Sequence, residues 1–152
     1  MSGFTNKGKW RLLGWAFRGD TLPTNYYVVL VTSATAPTQD HNTVSEFTEI
    51  AAGNGYTAGG YSLTPGATDF DLHTEDDTGD LGKVQVKDVA WVASGGSIPA
   101  SGNGARYALL TDDNVTPASR EVLAYWDLGS DRSVSSGQTL TLQDLELQGT
   151  ET

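Results

Sequence analysis

The sequence predicts a mainly β fold: a single antiparallel β-sandwich or barrel-like domain over residues 1–152, with one or two short helices near the N-terminus. Three observations carry this expectation. The 18 glycines among 152 residues exceed the usual share of about 7% and call for many tight turns. Beyond residue 55, turn signals recur about every 8–12 residues, the spacing of a sandwich or barrel. Between them lie short runs that alternate apolar and polar residues or are rich in β-branched ones. No internal repeat, linker or charge block divides the chain.

The elements follow in order. In 6-NKGKWRLLGWAFRG-19, Trp10, Leu13 and Phe17 fall at i, i+3 and i+7, which predicts a short amphipathic helix. Gly14 costs about 1 kcal/mol there, and Trp10, Leu12 and Gly14 also fit a period of two. Residues 1–11 are expected to form an extended N-terminal arm. The segment 26-YYVVLVTS-33 is apolar on both faces and reads as a central strand. A polar loop, 34–42, leads to Thr43 and Glu46 at capping-box spacing, predicting a helix of about two turns over 43–50. Residues 53-GNG-55 stop it.

Residues 55–63 read as a hairpin arm, and 68-TDFDLHTEDDTGD-80 as an acidic loop. In 83-KVQVKDVAWVAS-94, Val84 and Val86 alternate in one phase while Val89 and Trp91 alternate in the other. A switch at Lys87-Asp88 predicts a β-bulge. Strands follow at 105–111 and 121–128. In 138-QTLTLQDLELQG-149, Leu140 and Leu142 and, after a slip, Leu145 and Leu147 are expected to face inward.

Charge and composition narrow the function. A formal net charge of −10 repels nucleic-acid phosphates and anionic membranes, so neither is an expected partner. The chain has no cysteine, so disulfides and thiolate metal sites are excluded. No run approaches the roughly 18 apolar residues of a membrane span, and MSGFTNKGKW lacks a signal-peptide core, so a soluble protein is expected.

Few motifs carry chemistry. In 94-SGGSIPASGNGARYALLTDDN-114 the glycines are followed by Arg106 and a strand. Phosphate-binding loops open a helix instead, so this stretch reads as a turn that a partner could touch. The acidic loop offers hard oxygen ligands, with Asp69, Asp71, Asp76 and Asp77 the candidates for Ca²⁺, but no EF-hand spacing. The alternative is a solvated acidic loop, and no cofactor is expected. His41 and His73 lack partner motifs, and Gly60-Tyr61-Ser62-Leu63-Thr64 fails the serine-hydrolase elbow at its last position. Carboxylate pairs for glycoside hydrolysis stay open, because their spacing is set in space. Tyr56 and Tyr61, placed in loops, are either core residues, sugar platforms or interface anchors.

The segments 4-FTNKGKWRLLGWAF-17, 26-YYVVLVTS-33, 54-NGYTAGGYSL-63, 89-VAWVASGGSIPASGNGARYALLTDDN-114 and 122-VLAYWDLGSDRSVSSGQTLTL-142 carry a resemblance. In their order and spacing, which span nearly the whole chain, they resemble small virion structural proteins of tailed bacteriophages. That resemblance implies a non-enzymatic virion component. A capsid decoration (cement) protein would bind the major capsid protein on the outer capsid surface as a homotrimer; a tail-associated or adsorption protein is the alternative, and a carbohydrate-binding module a third. Expected partner contacts are Phe4, Lys7, Lys9, Trp10 and Arg11, because four of the nine basic residues lie in the first 18 positions. Ile98 and Pro99 in the glycine-rich loop are the second candidate contact.

Overall fold

Strand β2 (Tyr26–Val31) shows why the molecule is layered. Its side chains alternate, and both sides are buried: Val28 and Leu30 enter one core, Val29 and Val31 another. Such a strand has to be covered on both faces, as its unbroken apolar run predicts. The computed structural model describes residues 2–150.

β2 lies in a five-stranded antiparallel sheet with β1 (Ser2–Phe4), β3 (Tyr61–Leu63), β7 (Ala105–Thr111) and β8 (Val122–Arg132), in the order β1-β8-β7-β2-β3. Two smaller antiparallel sheets complete the fold: β10-β5-β4, with β4 at Leu72–Asp76, β5 at Leu81–Val86 and β10 at Leu145–Thr150, and β6-β9, at Val89–Val92 and Thr139–Leu142. The larger core joins Val28, Leu30, Ala108, Leu110, Ala124 and Trp126 of the main sheet to Val86, Val89, Trp91, Leu140, Leu142, Leu145 and Leu147 of the smaller ones. This is the packing of a sandwich, and the sheets are not closed into a barrel. The four inward leucines of 138–149 fall where alternation places them.

The Lys87-Asp88 phase switch is real, but it is a corner rather than a bulge. Val86 faces Leu145 and Val89 faces Leu142. The register offset is therefore the same on both sides of the break, and no residue has been inserted. The two strands leave one sheet and enter the other together, with Gln143 Nε2 donating to Asp88 Oδ2 at 3.0 Å across the corner.

Four local expectations need correction. There is no extended arm over 1–11: residues 2–4 pair with β8 as an edge strand, and residues 6–11 are the first half of helix α1 (Asn6–Phe17). The helix expected over 43–50 is one 3₁₀ turn, Val44–Glu46. Glu46 does accept from the Thr43 N–H, but the chain then runs extended, because Thr48 accepts from Thr32 N–H and Ile50 N–H donates to Leu30. The free end of β2 has captured it. The hairpin arm at 55–63 shrinks to β3. Ahead of it Gly60 has φ +82°, and a Cβ there would stand 2.1 Å from the Val28 carbonyl oxygen, so only glycine fits. The acidic loop at 68–80 contains β4, an edge strand whose charged residues discourage further pairing.

Candidate association surface

The most informative element is α1, and its orientation is the reverse of what its pattern suggests. Thr5 caps it: the hydroxyl accepts from Gly8 N–H (2.9 Å) and donates to the Val122 carbonyl (2.6 Å), while Thr5 N–H donates to Leu123 (3.0 Å). This buried threonine fixes the helix start to β8. Gly8 and Gly14 are the buried residues of the helix. A Cβ at Gly8 would stand 1.9 Å from the Leu123 carbonyl oxygen, so the missing side chain is what lets the two backbones approach.

With Gly8 against the sheet, the apolar stripe faces outward. Phe17 is 80% exposed, Leu13 59% and Trp10 55%, with Leu12 and Leu22 exposed beside them. Trp10 lies under two cations, Lys7 Nζ at 5.0 Å and Arg11 Cζ at 4.7 Å from its ring centroid, which hold the indole in place. Arg11 Nη2 reaches Glu121 at 3.0 Å and Lys7 Nζ at 3.7 Å. Lys9 and Arg18 form no ion pair among the described residues. Lys7 and Lys9 occupy the first turn, which holds no acid, and cations there oppose the helix dipole at about 0.3–1 kcal/mol each. Lys9, unpaired and set against the dipole, therefore does not serve the helix itself, whereas Lys7 and Arg11 tie it to Glu121. Beside it, a groove of about 790 Å³ runs between Leu12 and Leu13, Phe4 and Trp126, and Glu146 and Gln148 of β10.

Of the expected contacts, Lys7, Lys9, Trp10 and Arg11 thus share one surface element. Phe4 packs half-buried against the larger core. Ile98 and Pro99 are buried and cannot meet a partner. Ile98 exchanges backbone hydrogen bonds with Val134 (3.0 and 2.9 Å), a long-range pairing that draws the loop into the core. Leu13 and Phe17, the most exposed large side chains of α1, join Trp10 on this face although they are not among the expected contacts. Gly8 in the first turn of the helix is the sequence signal of close backbone packing.

The remaining candidates resolve differently. Tyr56 is buried, its ring tilted against Trp91 at 5.8 Å, and its hydroxyl donates to Glu49 while accepting from Leu30 N–H. Burial, then the Glu49 carboxylate, pushes its pKa up. Tyr61 packs edge-on to Trp91 at 6.0 Å. Tyr56 is therefore no platform for a sugar, and half-buried Tyr61 has Lys87 Nζ 5.4 Å from its ring centroid. Among the described residues no group of three or more His, Asp or Glu could hold a metal. Asp69 is instead paired with Lys87 Nζ at 2.6 Å and accepts from Thr64 N–H; Asp76 caps the turn by accepting from Thr78 and Gly79 N–H. Asp71 and Asp77 are exposed.

The Lys87 hydrogen bond and then that of Thr64 hold the Asp69 carboxyl below its ordinary 3.8. Its contribution to stability is therefore complete above the unfolded value and is lost as pH falls through the folded one. Glu46 and Asp127 are shifted down as well. The melting temperature should hold steady from pH 7 to about pH 5 and fall below about pH 4. Asp69→Asn should melt lower at pH 7 and show a shallower fall between pH 4 and pH 2.5. Circular-dichroism melts at both ends check this; an unchanged acid limb would remove the ion pair from the account.

No family model, no curated protein and no solved structure matches this chain.

Proposed function

We propose that the chain is a capsid decoration protein of a tailed bacteriophage, binding the outer surface of the major capsid protein shell and reinforcing it through contact area rather than chemistry. The observation that carries this reading is the outward face of α1. A large aromatic and aliphatic stripe, rimmed by cations on an otherwise acidic protein, is costly to leave in water and marks a protein-binding surface. Aromatics held rigid at the centre of such a patch are the usual anchors of an interface. The sequence resemblance to small phage virion proteins supplies the setting. A small sandwich-like subunit without repeats or a stalk suits a shell-bound position. Several copies acting together would gain avidity of about 10²–10⁴ over one contact.

The test is add-back. Purified protein incubated with undecorated heads should co-sediment with them to saturation and raise their melting temperature. Folded protein that stays in the supernatant at micromolar concentration, or that labels tails instead of heads, would overturn the proposal.

A further inference from the structure

The outward face of α1 leaves open what covers it, and the distribution of charge answers this. No acidic residue precedes position 19, so the first 18 residues carry four positive charges, from Lys7, Lys9, Arg11 and Arg18. All 19 carboxylates lie in the remainder, against five bases. The densest exposed group is at the tip of the β4–β5 hairpin. There Glu75, Asp76, Asp77 and Asp80, with Leu81, Gly82 and Gly149, line an open hollow of about 490 Å³. Among the described residues, Glu75, Asp77 and Asp80 form no ion pair. β4 lies two strands beyond β10 in its sheet, and the hollow borders the groove beside α1 at Gly149 of β10.

We infer that the apolar–basic face of α1 is covered by the acidic β4–β5 hairpin of a second copy of this chain. Unpaired cations on one patch meet unpaired anions on the other, while the apolar stripe closes over Leu81, Gly82 and Gly149. The self-complementary alternative, α1 against α1, brings the unpaired Lys9 and Arg18 of both copies together and is repelled. Since the two patches differ, the contact is heterologous, and repetition of one such contact closes into a ring when the rotation allows it. The inference deepens the proposed function by assigning the α1 face to contact between neighbouring copies, so that the assembled ring meets the shell through its remaining surface.

The experiment uses the full chain alone, by sedimentation velocity from 1 to 100 µM in about 50 and 500 mM NaCl. The wild type should form a discrete oligomer that weakens at least tenfold in the higher salt, since rim charges are screened over about 10 Å at 0.1 M. Lys9→Glu with Arg18→Glu should abolish it. Glu75→Lys with Asp77→Lys should do the same, and all four substitutions in one chain should restore the oligomer at its original size. Exposed positions make these variants safe to fold, which far-ultraviolet circular dichroism confirms for each. A monomer at 100 µM overturns the inference. So does an oligomer that the hairpin pair leaves intact, or a quadruple variant that stays apart. Head binding is scored separately: a monomer that still decorates heads refutes this contact alone, and an oligomer that ignores heads refutes the decoration role alone.

Discussion

Gly8→Ala should cost about 3 kcal/mol of stability, at the upper end of overpacking penalties, whereas Gly14→Ala in the same helix should cost almost nothing. The contrast follows from what each new methyl group meets. At Gly8 it would stand 1.9 Å from the Leu123 carbonyl oxygen, 2.7 Å from its carbon and 2.9 Å from its Cα. All three atoms belong to the backbone of β8, a strand held on both sides by β1 and β7. They cannot give way without breaking the sheet ladder. The helix has to lift, and Thr5 then loses its bonds to Val122 and Leu123. At Gly14 the methyl meets Asp20 Oδ2 at 2.3 Å, the end of a side chain that can rotate toward solvent. Removing a helical glycine returns about 1 kcal/mol, which offsets that displacement. Urea denaturation of both variants measures the difference. Equal costs would mean that α1 is not held by close backbone contact and that its outward face is not fixed by Gly8.

This pair also marks how far the sequence could be read. Periodicity located α1 almost to its ends, and it placed β2, β7 and the four inward leucines, because burial imposes a repeat that the chain itself displays. What periodicity reports, however, is that one face of a helix differs from the other. It does not say which face meets protein. For Trp10, Leu13 and Phe17 the apolar side is the exposed one, since Gly8 bought the helix a closer approach than any side chain permits. Other misreadings came from contacts distant in sequence. Ile98 sits in a stretch of glycine and serine that looks like a solvent loop, yet Val134 draws it into the core. Residues 48–50 leave their capping-box start because β2 has unused hydrogen-bonding groups beyond the end of β3. In β4 the density of carboxylates masked a strand whose register with β5 is regular from Leu72↔Gln85 to Asp76↔Leu81. The charge asymmetry was legible from the start; that residues 77–80 form the turn of a hairpin was not, because it follows only from the pairing of β4 with β5.

Trp126→Ala should be the most damaging of the core truncations, lowering stability by about 3–5 kcal/mol. The indole is buried on β8 within the larger core, where the main sheet faces the leucines of β9 and β10. Its Nε1–H donates to the Glu146 carbonyl at 2.9 Å, so one side chain both fills the interlayer space and ties β8 to an edge strand of the smaller sheet. Trp126→Phe separates these roles. It keeps most of the ring volume, removes the donor and leaves the Glu146 carbonyl to find water, a change worth about 1–3 kcal/mol. The loss should also be local. Among the described residues β10 is an edge strand paired with β5 alone, so in the phenylalanine variant its amides should exchange faster while those of β7, at the centre of the main sheet, keep their protection. Uniform loss of protection would assign the effect to volume instead of the hydrogen bond. A Trp126→Ala variant within 1 kcal/mol of wild type, in the same urea series, would show that the two layers hold together without it.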